Sequence, residues 1–88
     1  DGKNDCIKPA LSFHPPEYLF VVFDRWGSRI FQANQYTSYA EDPCTYAWDG
    51  RVNGGKKVPE GVYVYYIKLT TSNGIEVEKK GEITVFYP

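Results

Sequence analysis

The chain predicts an all-β fold, an antiparallel β-sandwich of about seven short strands. Three observations carry that expectation. No segment shows helical periodicity. Residues 62–69 alternate as a strand, with Tyr63, Tyr65, Ile67 and Leu69 on one face and Val62, Val64, Tyr66 and Lys68 on the other. Short apolar runs are separated by regular turn signals, including Asp24-Arg25-Trp26-Gly27, Asn53-Gly54-Gly55 and Ser72-Asn73-Gly74.

Taken in order, residues 1–17 are polar and carry Pro9, Pro15 and Pro16. Proline removes a donor and pushes its predecessor toward extended geometry, so this segment reads as an extended lead-in with one short strand near Cys6 and Ile7. Residues 18–23 are continuously apolar, rich in aromatic and β-branched side chains, and read as a strand buried on both faces. Arg25-Trp26-Gly27 turns the chain, and residues 28–33 return as the second arm of a hairpin. On that arm Ile30 is expected to face opposite to Phe31, one in the core and the other partly covered. Residues 34–47 read as a loop tucked down by Tyr36, Tyr39 and Tyr46. Trp48-Asp49-Gly50 follows, then Asn53-Gly54-Gly55, whose central positions both tolerate positive φ. Val58-Pro59-Glu60-Gly61 fits a type I turn. After residues 62–69 and the turn at Asn73-Gly74, Ile75 and Val77 alternate with Glu76 and Glu78 as a half-exposed strand. Gly81 reads as a bulge or bend, and Ile83, Val85 and Tyr87 continue to the end. Strands of this length with turns between them give a sandwich that is Ig-like in general form.

Eighty-eight residues make one domain, and a domain of that size has a thin core. Aromatic residues are 17% of the chain and fill such a core with few side chains. The absence of methionine, even at position 1, suggests a piece of something longer. The net charge of −1 argues against nucleic acid, which needs a basic surface. No apolar run approaches the length of a membrane-spanning helix. Two cysteines, Cys6 and Cys44, suit one disulfide in an oxidising compartment; two separate thiols are the alternative. A bridge would close a loop of about 39 residues and contribute ~4 kcal/mol by the chain-entropy relation.

Chemistry is hard to find. His14, the single histidine, precedes two prolines and has no local nucleophile to serve. Asp24 and Asp49 adjoin turn glycines, where aspartate accepts backbone N–H bonds. No cofactor is implied. Asp1, Asn4 and Asp5 offer oxygens for a calcium ion around Gly2, without the EF-hand spacing or its distal glutamate. Trp26 and Trp48 are either core and edge anchors or a stacking platform for a sugar.

The motifs in their order resemble a known family. Asp1-Gly2-Lys3-Asn4-Asp5, Phe23-Asp24-Arg25-Trp26-Gly27, Ile30-Phe31, Trp48-Asp49-Gly50, Asn53-Gly54-Gly55-Lys56, residues 59–65 and Gly81-Glu82-Ile83-Thr84-Val85 look like the successive signatures of the gliding motility-associated C-terminal domain. That is the type B sorting domain of cargo for the type IX secretion system. Three features depart from its pattern. Ile7 stands where an aromatic is usual, the stretch between Phe31 and Trp48 is long, and Cys6 and Cys44 are additional.

The resemblance implies that residues 1–88 are a non-catalytic C-terminal sorting domain excised from a longer secreted or surface protein. The cargo precedes it, reaches the periplasm by its own export signal, and is passed to the cell surface or medium by an outer-membrane translocon with a cargo-associated partner protein. Under that reading the hairpin tip and the following loop are the expected recognition elements: Asp24, Arg25, Trp26 and Gly27, with Asp49, Gly50, Asn53 and Lys56. Arg25 is the expected exposed contact, and the two tryptophans are expected to hold the turns in place. The competing reading is an Ig-like ligand- or carbohydrate-binding module of a surface adhesin.

Overall fold

The computed structural model describes residues 6–38, 44–53, 55–86 of the chain. Four antiparallel strands form one sheet: β1 (Glu17–Phe23), β2 (Arg29–Ala33), β3 (Gly61–Thr70) and β4 (Glu76–Val85), in the order β2-β1-β3-β4. No helix occurs among the described residues. β1 lies inside the sheet and is lined on both sides, as its unbroken apolar run predicts: Tyr18, Phe20 and Val22 are buried on one face and Val21 on the other. Opposed residues in an antiparallel pair share a face. The pairs Tyr18–Leu69, Phe20–Ile67 and Val22–Tyr65 therefore align the core side of β1 with the core side of β3.

That core side is covered by irregular chain. The crossover from β2 to β3 and the lead-in before β1 place Tyr36, Trp48 and Val58 in the core cluster, with Leu11 and Phe13 packed at its margin. Trp48 is fully buried and tilts against Tyr63 with ring centroids 5.6 Å apart; Tyr36 meets Tyr18 at 5.4 Å. The expected sandwich of about seven strands is not what the described residues form. Outside the sheet they pair at only two isolated bridges, Ile7 with Trp48 and Arg51 with Lys57.

The first bridge shows why a second sheet does not grow there. Ile7 and Trp48 exchange both backbone bonds, at 2.7 and 2.9 Å. The next bonded pair of such a ladder would join Pro9 to Tyr46. Proline has no N–H to give, and Tyr46 has φ 58°, outside extended geometry. The layer is fixed by other means. Cys6 and Cys44 form a disulfide with Cα atoms 5.2 Å apart. Beside it Lys8 is buried, and its ammonium donates to the Thr37 hydroxyl at 3.0 Å and the Thr45 carbonyl at 3.2 Å.

Two sequence expectations about the strands need correction. Ile30 lies in the core and Phe31 is partly covered, as expected, but they do not divide between opposite faces. The pairing shifts between Val22 and Phe23, and this bulge lets Ile30 enter the core cluster while Phe31 packs against the same cluster, edge-on to Phe20. Gly81 is neither bulge nor bend: the β3–β4 register runs through it without a break. Gly81 sits opposite Tyr65, and a methyl group there would overlap the Tyr65 ring. The glycine gives an aromatic side chain room to lie across an edge strand.

Of the tyrosines expected to tuck the long loop down, Tyr36 is buried, Tyr46 is exposed, and Tyr39 lies outside the described residues. So do Gly54 and Tyr87.

Candidate recognition surface

The hairpin tip is held by backbone and by one carboxylate. Asp24 N–H donates to the Ser28 carbonyl at 3.0 Å, and Gly27 N–H donates to the Asp24 carbonyl at 3.0 Å. One carboxylate oxygen of Asp24 accepts from the N–H groups of Trp26 and Ser28, both at 2.9 Å. Gly27 has φ 84°, a conformation that costs other residues strain. Asp24 and Gly27 thus build the turn, in agreement with a structural reading of the aspartate.

Trp26 does not hold it. Its side chain is 79% exposed, with the Arg25 guanidinium over the ring at 5.2 Å from the centroid. The tip presents a cation stacked on an aromatic plane, two groups that give directed donors and broad apolar contact. A notch of about 190 Å³ separates it from Pro59, Glu60 and Val62 at the start of β3. The sequence expectation for Trp26 as an anchor is therefore overturned, while Arg25 is exposed as expected.

Trp48 behaves as an anchor in full. Its indole N–H donates to the Arg51 carbonyl at 3.0 Å, so a buried ring organises the loop that follows it. Residues 49–57 close on themselves. Val52 N–H bonds the Lys56 carbonyl, Gly55 N–H bonds the Val52 carbonyl, and Val58 N–H returns to the Gly50 carbonyl, at 2.8–2.9 Å. Asn53 adopts φ 49°, as the turn motif predicts, and its N–H donates to the Ile30 carbonyl at 2.8 Å. That bond seats the loop on the outer edge of β2, next to the hairpin tip. Arg51 spans the loop, donating to the Gly55 carbonyl at 3.0 Å and approaching the Asp49 carboxylate at 3.6 Å. An ion pair this exposed adds little stability. Asp49, Asn53 and Lys56 have exposed side chains, and Gly50 is half-buried.

The two segments singled out from sequence therefore lie at one end of the sheet. Sequence reasoning missed what surrounds them. Val62 and Val64 are 46% and 38% exposed on the uncovered face of β3, and Phe86, just past β4, is 78% exposed. Their alternation with Tyr63 and Tyr65 was visible; which face stays open was not. On the same open face partial desolvation, reinforced by the neighbouring Glu78 carboxylate, holds the Tyr66 pKa above the ordinary value.

Other candidates fare differently. Trp26 and Trp48 cannot form a joint sugar platform, because Trp48 is wholly buried. His14 is exposed and stands edge-on to Tyr36 with ring centroids 6.0 Å apart. Asp1, Asn4 and Asp5, the calcium candidates, lie outside the described residues. Among the described residues no three His, Cys, Asp or Glu gather as a metal site.

What the surface offers is shape: a hydrogen-bonded tip, a closed loop beside it and an apolar rim. Comparison with known proteins agrees with the order of motifs. No curated protein and no solved structure matches the chain. A family model matches residues 1–85, nearly the whole length, and the chain belongs to that family, the CHU_C type IX secretion signal domain.

Proposed function

We propose that residues 1–88 are a non-catalytic C-terminal sorting signal of the type B kind. It directs a cargo attached to its N-terminal side through the periplasm and across the outer membrane by the type IX secretion system. The family match over residues 1–85 carries this reading. Membership implies export outside the cell; the route and the reader of the signal are the finer part of the proposal. The domain folds in the periplasm, where an oxidising environment suits the Cys6–Cys44 bridge. A translocon component, with an outer-membrane partner matched to the cargo, then reads the tip formed by Asp24, Arg25, Trp26 and Gly27 and the loop bearing Asp49, Gly50, Asn53 and Lys56. The exposed Arg25–Trp26 stack supports that choice.

The test is export of a fluorescent reporter with residues 1–88 at its C-terminus, behind a periplasmic signal peptide, in a host with type IX machinery. The expected result is reporter outside wild-type cells and trapped in the periplasm of a translocon-deficient strain. Periplasmic reporter in both strains, even after the matched partner protein is supplied, would refute the sorting role.

A further inference from the structure

The two edges of the sheet are treated differently. The β2 edge is engaged by the Asn53–Ile30 bond. β4 is the other edge, and the strand order places nothing outside it among the described residues. It is ten residues long, free of proline, and paired with β3 without a register break.

Which of its backbone groups point outward follows from the turn. Thr71 N–H donates to the Ile75 carbonyl at 2.9 Å, so those two residues form a bonded pair. Bonded and non-bonded pairs alternate along an antiparallel ladder. The register then makes Val77, Lys79, Gly81, Ile83 and Val85 the residues bonded to β3. The N–H and C=O groups of Glu76, Glu78, Lys80, Glu82 and Thr84 face away from it. The side chains of these same residues are exposed on the open face of the sheet. Three carboxylates and one ammonium line that column, so an added strand meets mostly negative charge.

Long edges of this kind are templates for another strand, and natural sheets blunt them with charge. The charge here also selects. A second copy would set an acidic column against an acidic column, whereas a basic strand would be attracted, since opposite charges stabilise directly opposed pairs and like charges do the reverse. We propose that the free edge of β4 is paired by an extended segment of a protein partner carrying Lys or Arg opposite Glu76, Glu78 and Glu82. Main-chain bonds supply the affinity and the charge ladder supplies the register. Phe86, at the end of the edge, meets an apolar residue of that segment. The inference rests on the sorting-signal reading, in which the partner belongs to the secretion apparatus.

The test uses the reporter carrying residues 1–88. Proline is tolerated at edge positions whose N–H faces solvent. Glu82→Pro and Thr84→Pro therefore remove outward donors and leave the β3 ladder in place, which circular dichroism and thermal melting of the purified domain verify. Export is expected to fall about tenfold or more, the scale of one or two lost main-chain bonds. The triple variant Glu76→Lys, Glu78→Lys, Glu82→Lys, which leaves the backbone intact, is expected to lower export comparably, and Lys80→Glu to leave it unchanged. Folded proline variants exported like the wild type would overturn edge pairing while the sorting role stood. Were the proline variants to unfold, wild-type export of the charge-reversed triple would overturn it instead. Sedimentation showing a dimer that Thr84→Pro abolishes, with export intact, would assign the edge to self-association and also overturn it. A wild-type reporter that is not exported, with the matched partner supplied, would remove the sorting reading and this proposal with it.

Discussion

Trp26 and Trp48 look alike in sequence, each beside a glycine turn, yet one is 79% exposed and the other fully buried. The difference lies in where each turn sits relative to the core. At residues 24–28 the carboxylate of Asp24 and the φ of Gly27 satisfy the backbone, so the indole is not needed and stands free. At residues 48–58 backbone bonds also close the loop, but it starts at the bridge to Ile7 over the core, and there the indole is buried and donates to the Arg51 carbonyl. Both turns are closed by local backbone bonds; the tryptophan becomes an anchor at the one whose chain lies over the core.

The sharpest way to break this comparison is at Trp48. Trp48→Ala is expected to cost about 3–5 kcal/mol, the range for deleting a large buried aromatic, measured by urea unfolding. A loss similar to that of Trp26→Ala would mean the two residues are equivalent after all. Reducing the disulfide is expected to cost about 2–4 kcal/mol, since the cross-link restricts the unfolded chain. Denaturant midpoints of wild type and a Cys6→Ser, Cys44→Ser variant check this, and no change would show that packing alone secures the covering layer. Gly81→Ala is expected to cost about 1 kcal/mol as the Tyr65 ring is displaced, visible as a shift in the thermal midpoint. Asp24→Ala is expected to lose about 1 kcal/mol, in line with the loss of a capping side chain. Trp26→Ala is expected to stay within about 0.5 kcal/mol, as for most surface changes, while reducing reporter export. In acrylamide quenching, Trp26 should respond strongly and Trp48 weakly, each assigned by replacing the other with Phe.

The strands were legible wherever the side-chain pattern was local. Residues 18–23, 28–33 and 62–69 fall within a residue or so of β1, β2 and β3. The Asn53 turn and the exposure of Arg25 were also readable, because turn chemistry acts over a few residues. What could not be read depends on distant chain. The covering layer does not continue as a ladder because the positions next in line beyond the Ile7–Trp48 bridge are Pro9 and Tyr46, a register set by the fold. Gly81 looked like a break because glycine weakens strands in general; its neighbour Tyr65, sixteen positions earlier, explains it. Lys8 was passed over for a similar reason: its burial comes from Thr37 and Thr45, remote in sequence. The apolar rim at Val62 and Phe86 escaped notice because alternation marks two faces without saying which one remains open.

The disulfide also sets how the domain responds to a pull. The cargo is joined on the N-terminal side, so tension along the chain enters at Cys6 and crosses the sulfurs to Cys44, 38 positions on. The segment between them, β1 and β2 included, is bypassed by the load while the bridge stays oxidised. At ~3.5 Å per residue that withholds roughly 130 Å of contour length, so a molecule stretched from its ends should yield that much less chain oxidised than reduced.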